Sequence, residues 1–555
     1  MVLISIPPPA ASTRAELPTP DSTHSYWHRL PSPTLLNHRT TPTLPAHADV
    51  VIIGSGISGA FAARTLLSSS PSQKVVMLEA REACWGATGR NGGHCQPMVW
   101  ASSAEIARFE LATFNHIASL VAEDGVQCDW RVVGGVHAIY DPVELVAAQA
   151  QLARLQQYKD LKDKAVLITD REELARHRVP GALAAVFQPN AAQLWPYKLV
   201  AWVLEGLVRD YGAAETVEEG KGEGKGEGKG KGGFNLQTNT PVTRLEKRER
   251  GEGWVVHTAR GEVFAPQVLL ATNAYTSFLL PGFTDVIVPV RGQVCALEPP
   301  ADGVQLVNSY GWIKGANDQY LVHRRPEDTQ VPSTSSSTST AESTSTSTST
   351  SRKEVEGEGE GEGEKKEKDH SLILGGERFA TPDGEEGISR DDTLNPLVSR
   401  ALHRALNGAL KLRPGVDAPE KEVLRAKYEW TGIMGYSRDG SPWVGRVPGA
   451  ALRDQNIHTD TTTDTTTDAN TSTDTSKDTD KDTDAEGLWI SAGFTGHGMP
   501  VAPRCGVAVA EMMLGKRDGV ALPEAWIPSE ERIAGAKLFE LPRTLEDILS
   551  WLPPA

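Results

Sequence analysis

The stretch that most constrains the fold lies near the N-terminus. Asp49-Val50-Val51-Ile52-Ile53 is a continuous β-branched run, the pattern of a strand buried on both faces. It leads into Gly54-Ser55-Gly56-Ile57-Ser58-Gly59 and an Ala-rich segment that predicts a helix as far as Ser68. Pro71 and Ser72 mark a turn, and Lys74-Val75-Val76-Met77-Leu78-Glu79 reads as a second buried strand. Gly54 permits the tight turn, Gly56 lets a diphosphate approach the backbone, and Gly59 lets helix and strand come close. The helix start offers unpaired N–H groups and a partial positive charge to an anion. Glu79 stands 20 residues after Gly59, where a carboxylate can accept both ribose hydroxyls. This βαβ unit predicts a dinucleotide site in a doubly wound α/β fold, and by itself it does not separate NAD from FAD.

Three stretches of the 555-residue chain cannot form a packed core: a Lys/Glu/Gly repeat over 217–233, a Ser/Thr then Glu/Gly tract over 328–369, and a Thr/Asp tract over 457–485. They read as low-complexity insertions in hairpin loops, where added length costs little closure entropy, and they are expected to be dispensable. The second and third carry −5 and −6 of the net charge of −16, so the remainder is near −5. No basic stripe exists, which argues against a nucleic-acid partner. Five scattered cysteines without CxxC spacing argue against a disulfide scaffold or a zinc ribbon, and His94-Cys95 lacks a second ligand pair, so no metal is expected. No apolar run reaches the ~18 residues of a membrane span. The N-terminus lacks a basic start and a long apolar stretch, and the chain ends Leu-Pro-Pro-Ala, not Ser-Lys-Leu. The expectation is a cytoplasmic protein with no membrane partner.

Helical periodicity marks Ile106 to Leu120, Pro142 to Tyr158 and Trp195 to Asp210. A turn and strand are expected at Gly134–Tyr140, and strands at Val268–Ala271, Gly292–Leu297, Gln319–His323, Leu372–Leu374 and Leu488–Ile490. After Glu79-Ala80-Arg81 comes Gly86-Ala87-Thr88-Gly89-Arg90-Asn91-Gly92-Gly93-His94. Here the chain resembles the D-amino-acid-oxidase-like FAD-dependent oxidoreductases, in particular the branch with glycine and sarcosine oxidases and γ-glutamylputrescine oxidoreductase. In that family the segment runs along the diphosphate towards the isoalloxazine. Thr240-Pro241-Val242-Thr243-Arg244 resembles the strand whose valine, here Val242, contacts the adenine side. Gly493-Phe494-Thr495-Gly496-His497-Gly498-Met499 resembles the family's last FAD segment, followed by an apolar helix from Pro503 to Leu514.

The resemblance implies an α/β protein with a Rossmann-like FAD-binding domain and an interleaved antiparallel-sheet substrate domain. An extended arm is expected over 1–47. The FAD domain would comprise about 48–100, 180–275 and 486–520, the substrate domain 101–179 and 276–456, and 521–555 a C-terminal extension. The implied reaction oxidises the C–N bond of a small amine or amino acid by hydride transfer to flavin N5, with O2 or another electron acceptor completing the cycle. A hydroxy-acid or alcohol dehydrogenase, and a non-catalytic flavin protein, remain alternatives. His323 and Arg291 are the candidate catalytic residues: His323 is read against a solvent-facing strand histidine, and Arg291 as a carboxylate clamp against a surface ion pair. Trp195, Trp312 and Trp430 either line the cavity or fill the core. FAD is expected to be non-covalent, because Met434 and Arg90 stand where relatives carry a tethering Cys or His, which leaves His94 as the remaining candidate.

Overall fold

The computed structural model describes residues 14–212, 233–248, 253–314, 317–324, 370–415, 423–452 and 485–553. The three low-complexity tracts lie outside the described residues, apart from Gly233 and Ala485.

The first βαβ unit forms as its sequence dictates. Strand Val50–Ile53 is buried along its whole length and pairs in parallel with Val75–Leu78 on one side and Gln267–Leu270 on the other. The six-stranded sheet runs in the order Trp443–Arg446, Leu488–Ala492, Gln267–Leu270, Val50–Ile53, Val75–Leu78, Phe234–Gln237. Its strands are parallel except Trp443–Arg446. The two-residue period of a strand gives each face its own core. Val50 and Ile52 pack with helices Ile57–Ser69, Pro196–Tyr211 and Ala502–Met513. Val51 and Ile53 pack with a small antiparallel sheet of Val242–Lys247, Trp254–Thr258 and Gly261–Ala265.

The second unit is a nine-stranded sheet. Its main path runs Ala426–Ser437, Ile287–Leu297, Leu372–Gly375, Asn317–His323, Asn308–Lys314, Arg131–Ile139, Ala184–Gln193 and His94–Cys95, and Val166–Ile168 pairs with Ala184–Gln193. Neighbours are antiparallel except Asn308–Lys314 on Arg131–Ile139. The expected fold class is therefore observed: a Rossmann-like parallel sheet joined to an antiparallel one. The partition differs in detail. Ala184–Gln193 and His94–Cys95, expected in the nucleotide domain, belong to the antiparallel sheet, and Trp443–Arg446, expected in the substrate domain, closes the parallel one. These strands are short or rich in Ala and Gln, so their pairing is set by neighbours and not by their own pattern. The first tract also joins a helix to a strand and is not a hairpin loop, whereas the strands flanking the other two are antiparallel neighbours.

The N-terminal segment is no loose arm. Over 14–47 it is mostly irregular, with one 3-10 turn at Tyr26–His28, but Tyr26 and Trp27 are buried. Trp27 donates its indole N–H to the Asn91 carbonyl and accepts the Trp195 indole N–H at 2.7 Å on its own carbonyl. Its ring sits 2.5 Å from where a Cβ on Gly93 would stand, so Gly93 makes the room for it. The extended arm expected here carries no local sign of this burial, because the partners that bury it come from distant parts of the chain. At the other end, Trp526 is buried edge-to-face against Phe109, with ring centres 4.8 Å apart. Trp27→Ala should lower the unfolding free energy by about 3–5 kcal/mol, read by urea denaturation. A loss within about 0.5 kcal/mol, typical of surface sites, would mean that the segment is peripheral.

Candidate active site

One long cavity of about 550 Å³ runs from the first βα turn to the antiparallel sheet. At the turn, Gly54 has φ of +106°, and a Cβ there would lie 2.6 Å from the Ala271 carbonyl oxygen. A Cβ on Gly59 would lie 2.1 Å from the Gly54 oxygen, so only glycine lets the helix approach this closely. Gly56 is different: an added Cβ would meet just the Thr88 hydroxyl, at 3.3 Å, and the start of helix Ile57–Ser69 stays open to the cavity. That hydroxyl accepts the Ile57 N–H at 3.1 Å.

Glu79 is buried at the end of the second strand and lines the same cavity. Its Oε2 accepts the Ser55 N–H at 3.0 Å and hydroxyl at 2.7 Å, and its Oε1 accepts the Arg81 N–H at 3.0 Å. A dinucleotide needs an open helix start for its diphosphate, a fixed carboxylate for a ribose, and no side chain between them. These residues fit that group. Of the residues expected to hold it, all line the cavity except Ser55, Gly59, Gly93 and Gly493. Ser55 orients Glu79, while the three glycines give space to Gly54, Trp27 and Trp443 respectively. Asn91 lines the cavity but spends its side chain on its own loop, donating to the Thr88 carbonyl at 3.0 Å and accepting the Gly93 N–H at 2.8 Å. Arg81 and Arg90 face the cavity in part, yet both guanidinium groups are tied to buried Asp391, at 3.0 and 3.3 Å. Burial pulls Arg90 down to about 10, against the pull of Asp391.

At the opposite end the lining becomes ionisable. His137 meets Glu144 at 2.6 Å, and His497 meets Glu110 at 3.1 Å. Burial opposes charge on both imidazoles, but the paired glutamate and nearby Asp318 outweigh it and raise each pKa above the usual histidine value. His94 takes the opposite course: burial, then the neighbouring His497, lowers it to about 4. Its Nε2 is buried without a hydrogen-bond partner. Asp318 is exposed to the cavity, and desolvation raises its pKa against the pull of His137, Arg378 and His497. Arg378 lies 3.9 Å from the Phe379 ring centre and donates to the Gly384 carbonyl at 3.1 Å. The Tyr320 ring fills the space that side chains on Gly92 and Gly375 would need.

Neither candidate catalytic residue reaches this cavity. His323 is buried on the face of its strand that Leu321 gives to the core, and its Nδ1 accepts the Leu306 N–H at 3.0 Å. Arg291 pairs with Glu385 and donates to the Thr393 hydroxyl at 3.0 Å. Trp195, Trp312 and Trp430 are core residues outside the lining. The guanidinium that lines the antiparallel-sheet end of the cavity is instead Arg378, directly after the Gly375-Gly376-Glu377 turn that ends strand Leu372–Gly375. A cation following a glycine turn at a strand end was the available signal. Asp318 sits one residue before the Gln319–Arg324 segment, and His137 within the Gly134–Tyr140 strand; neither carries a local mark of function. Among the described residues no three or more His, Cys, Asp or Glu side chains are grouped to hold a metal ion, and no helix is long and apolar enough to cross a membrane.

Comparison with known proteins agrees with this geometry. The chain is 23% identical over 278 residues to the probable oxidoreductase OrdL of Haemophilus influenzae, covering 46% of this chain and 57% of that protein. It is 26% identical over 244 residues to gamma-glutamylputrescine oxidoreductase of Escherichia coli, covering 41% and 49%. The chain thus spans about half the length of these curated relatives. Glycine oxidase from Geobacillus kaustophilus shares the fold, with a TM-score of 0.57 at 17% identity over 88% of this chain and 99% of that one. The sequence profile of the DAO family, FAD dependent oxidoreductase, matches residues 49–512, from the first buried strand to the last helix of the parallel unit. The chain belongs to that family.

Proposed function

We propose that this protein oxidises the C–N bond of a small amine or amino acid, with FAD held non-covalently. The observation that carries the reading is the continuity of the cavity: it joins Glu79 and the open helix start to a chamber lined by Asp318, Arg378, His137 and His497. FAD, when bound, supplies the acceptor for a hydride from the carbon that bears the nitrogen. Glu79 would hold the adenosine ribose and Val242 border the adenine, while Gly56 and the helix start receive the diphosphate. The turn Gly496–Met499 leads into helix Ala502–Met513, whose N-terminal partial charge favours an anion at the cavity. Arg378 is a cation available to a substrate carboxylate, and the His497–Glu110 pair keeps a proton close to the reacting region. The branch containing glycine and sarcosine oxidases and γ-glutamylputrescine oxidoreductase is a functional analogy for this reading. O2 or another acceptor would complete turnover.

The residues available support non-covalent binding. The Met434 thioether lines the cavity and cannot supply a thiolate. The Arg90 guanidinium is engaged by Thr431, Thr23 and Asp391. His94 is the remaining candidate tether.

Three measurements test this reading. In an anaerobic panel, an amine or amino acid should bleach the flavin and 2-hydroxy acids should not; bleaching by hydroxy acids alone would overturn the reaction class. Acid precipitation should leave the yellow colour in the supernatant, and a yellow pellet that turns white in His94→Ala would identify a covalent link instead. Glu79→Arg should purify mostly as apoprotein, because the ribose loses its acceptor and the guanidinium fills its place. A fully yellow variant would remove Glu79 from the site.

A further inference from the structure

The substrate half of the cavity contains a carboxylate to which no described side chain donates. Asp318 lies on strand Asn317–His323, is exposed, and lines the cavity. The charged groups around it are His137, His497, Arg378 and Glu144. Each cation is turned elsewhere. His137 directs Nε2 to Glu144, His497 directs Nε2 to Glu110, and Arg378 donates to the Gly384 carbonyl and lies against Phe379 and Tyr436. No side chain among the described residues donates a hydrogen bond to Asp318. A carboxylate that faces the cavity and receives no hydrogen bond from a described side chain is free to accept from a ligand that brings donors.

The wall beside it leaves room for such a ligand. Strand Asn308–Lys314 pairs Ile313 with Asp318 and Gly311 with Tyr320, so Gly311 and Asp318 share a face of the sheet. Gly311 lines the cavity, and a Cβ there would find no atom nearer than His137 Nδ1 at 3.5 Å. The same row holds His137 on the next strand and Gly375 on the far side of Tyr320. Ile313 stands directly opposite Asp318, and Gly311, one pair further along the same face, leaves the cavity open beside it. A metal ion is a poor match, since one carboxylate is a small part of a hard-cation site and no cluster of three candidate ligands occurs among the described residues.

We propose that Asp318 is the anchor for an alkylammonium group, so that the cavity selects substrates with a free basic nitrogen over neutral or purely anionic ones. The inference deepens the proposed amine or amino-acid oxidation and rests on it for the word substrate. The ammonium brings up to three N–H donors to a carboxylate that has none, a charge-assisted contact roughly twice as strong as a neutral one. With Arg378 in the same chamber, a zwitterionic amino acid can satisfy both groups at once.

The test is calorimetric titration of the FAD-loaded protein without oxygen, using propylammonium, 1,3-propanediammonium, propionate and neutral propionamide. Wild type should bind propylammonium about tenfold or more tightly than propionamide, whose size is similar. Asp318→Asn should lose about that factor for the ammonium ions while keeping its flavin and its affinity for propionate. Tighter binding of the diammonium than of the monoammonium would assign Asp318 to a second amino group, and equal binding to the nitrogen that is oxidised; either outcome supports the anchor. Equal wild-type affinity for propylammonium and propionamide would overturn it without recourse to any variant. So would an unchanged ammonium affinity in a flavin-loaded Asp318→Asn. The two readings fail separately: ammonium binding without bleaching by any amine sinks the reaction, and bleaching with an indifferent Asp318 sinks the anchor.

Discussion

The structure turns on a buried carboxylate. Asp391 is 1% exposed and accepts hydrogen bonds from the Arg81 guanidinium at 3.0 Å and the Thr19 hydroxyl at 2.8 Å, with Arg90 Nε at 3.3 Å. Three parts of the chain meet on it: the N-terminal segment, the loop after the second parallel strand, and the substrate unit. Arg90 extends the junction by donating to the Thr431 carbonyl at 2.6 Å and to the Thr23 hydroxyl at 2.8 Å. Breaking a buried pair leaves uncompensated charges and costs about 3–5 kcal/mol, far more than a surface contact. The network therefore fixes one arrangement of the cavity-lining loop 86–93 between the two sheets.

That arrangement explains how a dinucleotide fold and an antiparallel sheet share one chamber. The parallel sheet contributes close backbone approach, through Gly54 and Gly59, and one oriented acid, Glu79. The antiparallel sheet contributes a wall whose register aligns Gly375, Tyr320, Gly311 and His137 in one row. Tyr320 bridges the two, its ring lying against both Gly92 and Gly375. Charge is graded along the cavity. His94 is held neutral by burial, while His137 and His497 are biased towards protonation by glutamates behind them. The two kinds of histidine differ in their backing: His137 and His497 each meet a glutamate, and His94 Nε2 meets no partner.

Much of the nucleotide half was legible in the sequence because its signals are local. The spacing of Gly54, Gly56, Gly59 and Glu79 encodes strand, turn, helix and acid within about 30 residues. Gly86–Gly93 and Gly493–Met499 were legible by resemblance, although individual roles were not: Ser55 turns to Glu79, and Gly93 gives its space to Trp27. The substrate half was hidden because it is built by convergence. Asp318, His137, Arg378 and Glu110 come from three strand regions and a helix, and only sheet register brings them together. His323 illustrates the limit, since alternation shows that it shares a face with Leu321 but not which face meets the cavity. Trp27 illustrates another, because Pro, Ser and Thr around it describe the local chain and not the distant residues that bury it.

The central claim is that the chain holds FAD in the cavity built around Glu79 and the first βα turn. The most direct measurement is the cofactor content of the purified full-length protein, with visible absorption compared against protein concentration and the released nucleotide identified by chromatography. The account predicts one FAD per chain. A chain that is colourless and takes up no FAD on reconstitution, or one that carries FMN or a nicotinamide nucleotide instead, would contradict it.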